Sequence, residues 1–374
     1  MNSETITGEN PARLDWMDNL RTVSILLVVL YHIGGVYESA GLWASFWIVD
    51  DPDTIIWVGI IGIIFDIIVM PMMFFISGYL TPNSFANESK WTFLKKKAKR
   101  LMLPWLIAVF TLIPIYKFIF LYSRNLPREN WTTYFHFVSP NTMNWLWFLP
   151  VLYLFNVLYL IFSSLNIRIP SVSAKWVITA VFLIGLANSL VIGSVMGFRT
   201  WTHSPLMDFE NERLMLYFMI FLLGIFYNHN NIFDGELGRK KMYNIVNSLA
   251  WIPLGIHIFF RLLPFFYPNE FTLSLSYRSW WWFSFNVSLV TLMYLMIETF
   301  RRYFDSNGPV WSELNRNSYG VYIIHVVAIG IFGTMLMKFS LPALLKYPLL
   351  IILTYLVCNF VVSAYRRLRA IAVG

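Results

Sequence analysis

The chain has 374 residues, 57% of them apolar, 18% aromatic and only 13% charged. A water-soluble globule of this length would lack the polar surface to cover itself, so the composition excludes a soluble domain and indicates an integral membrane protein. The net charge of +8 falls in short loops between apolar runs, where it reads as a topology signal; no nucleic-acid partner is expected.

The N-terminal stretch MNSETITGENPARLDWMDNL lacks the basic start, short apolar core and small-residue cleavage site of a removable signal peptide, so the first apolar run is expected to be retained. A helix needs about 20 mostly apolar residues to cross the hydrocarbon layer, and the pattern predicts about ten such spans. They fall at 20–38, 55–80, 101–122, 143–163, 176–196, 213–228, 245–266, 280–299, 318–338 and 346–365. The expected fold is all-α and polytopic, one transmembrane domain over 1–374 with a cytoplasmic N-terminal segment (1–19) and tail (366–374). Lys and Arg cluster in KWTFLKKKAKR (90–100), NIRIPSVSAK (166–175), GRKK (238–241), RRYFDSNGPVWSELNR (301–316) and RRLR (366–369). The intervening loops are poor in positive charge; 38–54 carries Glu38, Asp50, Asp51 and Asp53 and no Lys or Arg. The positive-inside rule then puts both termini in the cytoplasm of a multi-pass cell-membrane protein.

The first span opens with RTVSILLVVLYH, Arg21 to His32. Eleven helical steps return His32 to within about 20° of Arg21, some 16 Å further along the axis. Arg21 then stays near the cytoplasmic headgroups, where a snorkelling anchor paired with Asp18 is one reading. An imidazole at that depth must face protein or a water-filled cavity and find partners, so His32 is either a functional group or an interhelical hydrogen bond. In the second span Asp66 lies about 16 Å from the outer end, near the depth of His32, with Ser77 on the same face. A carboxylate there can hold the imidazole in one tautomer, while pairing of Asp66 with some other group stays equally open.

Further along, Trp145 and Trp147 open the fourth span. His257 and Arg261 share a face near the outer end of the seventh, and the run Trp280, Trp281, Trp282 reads most simply as part of the outer aromatic belt, with stacking on sugar rings as the alternative. Glu298 beside Arg301 and Arg302 has local ion pairing as its default. His136 and His203 fall in outer loops and His229 in an inner one, with nothing at ligand spacing, so no metal site is expected. The single cysteine, Cys358, excludes an internal disulfide and reads as a buried small hydrophobe.

Taken in order, Arg21 with His32, FFISGYL (74–80), KKKAKRLMLPW (95–105), NWLWFLPVLYLF (144–155) and LNRNSYGVYIIH (314–325) resemble the motifs of the acyltransferase-3 family of membrane acyltransferases. The resemblance extends from about residue 13 to 365, and RLMLPW is closer to the glucan-succinylating branch than to the O-antigen-acetylating one. It implies transfer of an acyl group, acetyl or succinyl, from cytoplasmic acyl-CoA to a hydroxyl of a glycan or lipid-linked envelope acceptor on the far side. Acyl-CoA is then a co-substrate, and no bound cofactor is expected. Some members carry a C-terminal SGNH hydrolase-like domain; this chain ends shortly after its last span, so acceptor handling is expected of the membrane domain or of a separate partner, with a homo-oligomer also open.

Within that chemistry His32 matches the catalytic histidine, suited to a base because neutral imidazole is available near pH 7. Asp66 is the candidate for its carboxylate partner. Arg21 is placed to meet donor phosphate or pantetheine, and Lys97, Lys99 and Arg100 match the family's basic turn, with a phosphate clamp and topology-setting charge as the two readings. His325, Trp147 and Ser77 are secondary candidates: His325 for the donor arm or for packing, Trp147 for the acyl pocket or for packing. The rival function is a multi-helix carrier or exporter of a glycan or small metabolite, since buried ionisable groups also mark transport paths. A non-catalytic membrane scaffold is a third.

Overall fold

Long apolar runs offer the backbone no water to bond with, so each closes its own hydrogen bonds as a helix. A computed structural model of the chain describes residues 14–38, 47–86, 88–135, 144–164, 172–235, 237–267 and 274–373. Twelve α-helices are seen among them: α1 (Asp15–Tyr37), α2 (Ile56–Phe85), α3 (Lys90–Lys97), α4 (Leu103–Ser123), α5 (Phe148–Ser164), α6 (Ala174–Met196), α7 (Asn211–His229), α8 (Lys240–Leu249), α9 (Trp251–Phe266), α10 (Leu275–Tyr303), α11 (Pro309–Leu336) and α12 (Ala343–Val373). The strands β1 (Trp201–His203) and β2 (Asp208–Glu210) form a small antiparallel hairpin with Thr202 opposite Phe209. The fold is thus an all-α polytopic membrane protein with one short hairpin in a loop. The expectation for His136 lies outside the described residues, as do those for positions 1–13 and 39–46 and for most of the 166–175 basic loop.

Among the described residues, nine helical segments are long and apolar enough to cross a membrane. The run predicted at 213–228 is not one of them, because α7 opens on Asn211, Glu212 and Arg213. The packing shows why these charges are tolerated: α7 lies between α2 and α6, and Glu212 and Arg213 are buried at 0% and 2% exposure. Arg213 meets Asp66 near one end of the helix, and Gly224 meets Phe75 and Tyr79 near the other. The α7 helix therefore runs alongside α2 as a tenth element of the bundle. At their crossing a Cβ on Gly78 would lie 2.0 Å from the Phe221 carbonyl oxygen, and one on Gly224 would lie 2.2 Å from that of Phe75. Only small residues let two backbones come this close, which is how helices associate where lipid weakens the hydrophobic drive.

The helix α1 packs against both α2 and α11, and α12 covers α11. Basic residues gather at one end of this group: Glu298 binds Arg301 at 3.1 Å and Arg302 at 2.7 Å, as local pairing predicts, and Arg366 meets Glu313 at 3.3 Å. At the opposite end the buried pair Asp51–Lys346 closes at 3.0 Å. Between α3 and α4 the chain widens into a π-turn, Ala98–Met102. Pro104 explains it: proline has no N–H for the carbonyl four residues back and its ring crowds that carbonyl. The orphaned Arg100 carbonyl instead accepts the Tyr319 hydroxyl of α11 at 2.7 Å.

Candidate active site

The helices α1 and α11 place the candidate residues through one constant register. Thr22 donates its hydroxyl to Asn315 Oδ1 at 2.5 Å, and His32 meets His325; both pairs are separated by 293 positions. Two helices that hold the same offset over ten residues lie parallel, so each histidine sits three turns beyond a polar contact at the basic end. That contact is extensive. Asn315 Nδ2 donates to Asn19 Oδ1 at 2.8 Å, and Asn19 Nδ2 donates to the Phe304 and Ser306 carbonyls, each at 2.8 Å.

Arg21 lies in this network, 3.1 Å from the Asp18 carboxylate and donating to the Asn315 carbonyl at 3.4 Å. The common face of Arg21 and His32 is therefore turned toward α11. His32 is partly buried and His325 fully so. Their ring nitrogens, His32 Nδ1 and His325 Nε2, are 3.0 Å apart. The His32 Nδ1 is also 2.9 Å from the Val28 carbonyl oxygen, and His325 Nδ1 is 2.7 Å from that of Tyr322. Trp47 stacks on the His32 ring with centroids 5.0 Å apart and planes 12° apart.

Trp145 secures the α11 turn that bears His325. Its indole donates to the Ile323 carbonyl at 2.9 Å, and its own carbonyl accepts the Tyr322 hydroxyl. Trp145 is buried, and its ring lies edge-on to His325 at 6.5 Å. Trp147 faces elsewhere, stacked on Tyr217 at 6.0 Å and edge-on to Trp201 at 5.9 Å.

The expected pairing of Asp66 with His32 is not formed. Arg213 takes the carboxylate in a two-pronged bond, Nη1 to Oδ1 at 3.0 Å and Nη2 to Oδ2 at 2.7 Å, and Glu210 flanks the same guanidinium at 3.1 Å. A carboxylate only 23% exposed, as Asp66 is, is better matched by a planar guanidinium than by a neutral imidazole, because two charge-assisted bonds offset its desolvation. The position held in sequence reasoning by Asp66 is occupied by His325. Ser77 lies on the α5 side of α2: its carbonyl accepts the Thr81 hydroxyl, which also reaches Asn156.

Of the basic turn, Lys99 and Arg100 are exposed on the π-turn, and Lys97 folds back over the Phe93 ring at 5.1 Å. The Trp280–Trp282 run divides: Trp280 is 54% exposed, but Trp281 and Trp282 are buried, and Trp282 donates its indole N–H to Glu212 at 3.1 Å. This corrects the aromatic-belt reading for two of the three, since Trp282 is turned toward α7 and Trp281 toward Phe198 and α9, inside the bundle and not toward lipid. His257 is buried beside Trp281 and meets Ser284 Oγ at 3.2 Å. His203 does have a partner in the hairpin, Asp208 at 2.5 Å; burial pushes the Asp208 carboxyl up to about 6, with His203 opposing the shift.

Sequence reasoning overlooked the pairing of His32 with His325. The signal was the equal spacing from Thr22 to His32 and from Asn315 to His325, ten positions in each helix. Comparison with known families finds a match over residues 14–362 to one described as an acyltransferase domain, of the acyltransferase-3 type. No curated relative and no solved structure matches the chain.

Proposed function

The chain belongs to the acyltransferase-3 family and is a multi-pass membrane acyltransferase; from that premise we propose that it moves an acetyl or succinyl group from cytoplasmic acyl-CoA to a hydroxyl of an envelope glycan. The observation that carries this reading is the placement of His32, a histidine three helical turns from the basic end and joined to a second histidine. A donor whose phosphates stay with the basic residues must send its thioester inward, and an extended pantetheine arm of about 15 to 20 Å spans that depth. Arg21, Lys97, Lys99 and Arg100 are the proposed contacts for the charged part of the donor, and the proposed acceptor approaches from the opposite side.

In the proposed reaction His32 takes the proton of the acceptor hydroxyl while that oxygen attacks the thioester carbonyl. Collapse of the tetrahedral adduct breaks the carbon–sulfur bond, and the departing CoA thiolate recovers the proton from His32. The ester formed carries the acyl group to the acceptor, with no redox partner required. Mass spectrometry of envelope glycans from cells with and without the gene tests the reaction. A mass difference of one acetyl or succinyl group on a glycan fraction is expected; accumulation of an unmodified glycan or metabolite would point to a carrier.

A further inference from the structure

We propose that His325 is a positioning residue for the reaction: its Nε2 accepts the Nδ1–H of His32, which aims His32 Nε2 at the acceptor and steadies the imidazolium formed there. The inference rests on the reading of His32 as the base, and it assigns a second residue to that site.

The proton positions follow from donors and acceptors. The Tyr322 carbonyl can only accept, so His325 Nδ1, 2.7 Å away, carries hydrogen. In a neutral ring His325 Nε2 is then an acceptor. His32 Nδ1, 3.0 Å from it, must supply the hydrogen, since two facing lone pairs would repel. The Val28 carbonyl at 2.9 Å demands the same of His32 Nδ1. Both neighbours thus fix one tautomer of His32, with its lone pair on Nε2.

The two acceptors differ in what happens next. When His32 gains a proton its Nδ1–H becomes more acidic, and a bond to a basic imidazole nitrogen strengthens more than one to an amide carbonyl. This gain is absent before proton transfer, so it stabilises the transition state and not the bound substrates. The surroundings favour a held geometry. Trp47 lies flat on the His32 ring, and Trp145 ties both Tyr322 and Ile323 in the turn leading to His325. A purely structural interhelical bond is the competing explanation.

Three variants separate the two. In His325→Gln the amide oxygen reaches the position of Nε2 and still accepts from His32. In His325→Asn the shorter amide reaches only the Tyr322 carbonyl, and His325→Leu reaches neither. Purified proteins are assayed with labelled acetyl-CoA and, in parallel, succinyl-CoA, with an envelope glycan fraction as acceptor. His325→Leu and His325→Asn are expected to lose at least about tenfold in kcat with KM for acyl-CoA within about twofold, and His325→Gln to regain most of the loss. Should the leucine variant fail to fold, the Gln and Asn variants decide alone. Equal losses in Gln and Asn, or wild-type kcat in Leu, would overturn the proposal. His32→Ala distinguishes its failure from that of the underlying reading: an active His32→Ala removes the base itself, whereas an inactive one beside a fully active His325→Leu removes only the role of His325.

Discussion

His32 depends on groups nearly three hundred positions away, and this limits what one helix can reveal. The sequence showed its depth and the face it shares with Arg21, because both follow from helical period alone. It did not show which helix that face meets, and Asp66, at a similar depth by helical rise, was the nearest candidate. Burial chose differently: Asp66 needed a full opposite charge and found Arg213. An arginine opening an apolar run was the available clue. Arg21 is held by Asp18 and Asn315, so the pairing with Asp18 is seen in the fold, and a donor role is a matter for binding. If it also meets donor phosphate, Arg21→Ala should raise KM for acyl-CoA by about tenfold or more, the worth of a charge-assisted bond, and Arg21→Lys by less. Equal donor affinity in Arg21→Ala and wild type would leave it an anchor only.

Helix contacts set two further expectations. The α2–α7 crossing has no room for a side chain, so Gly224→Ala should lower stability by about 1 to 3 kcal/mol through overpacking. Gly255 in α9 is the control, since a Cβ there meets nothing within 4 Å; Gly255→Ala should leave the unfolding temperature unchanged or raise it. The Asp66–Arg213 bridge joins the same two helices. Arg213→Leu alone takes the guanidinium from both Asp66 and Glu210 and should cost roughly 3 to 5 kcal/mol, while the double change Asp66→Leu with Arg213→Leu should recover the part due to Asp66, Glu210 keeping Arg199 at 3.5 Å. Thermal unfolding of the purified variants in one detergent reports both. Activity that returns with stability in the double variant assigns Asp66 to the fold; activity lost from a stable double variant would restore it as a functional residue. The π-turn was legible only in part: RLMLPW announces a proline after a basic run, but that Tyr319 fills the carbonyl Pro104 leaves vacant depends on α11.

Across the whole molecule the ten predicted spans correspond to helices of the structure, with boundaries that moved by up to about ten residues where helices project beyond the apolar run. The exception in kind is α7, whose polar first turn is affordable only because neighbouring helices surround it. Long apolar runs are read locally, whereas compensation among buried charges is a property of the packed bundle. The proposed sidedness is likewise a property of the whole. In oriented proteoliposomes, acyl-CoA supplied at the face bearing Lys99 and Arg100 should support transfer and acyl-CoA supplied only at the hairpin face should not. Acyl transfer through His32 is tested most directly by giving labelled acyl-CoA and envelope glycan to purified wild-type protein and to His32→Ala of equal folded yield. Label is expected on the glycan with wild type and at background with the variant; undiminished transfer by His32→Ala would contradict the role of His32 as the base.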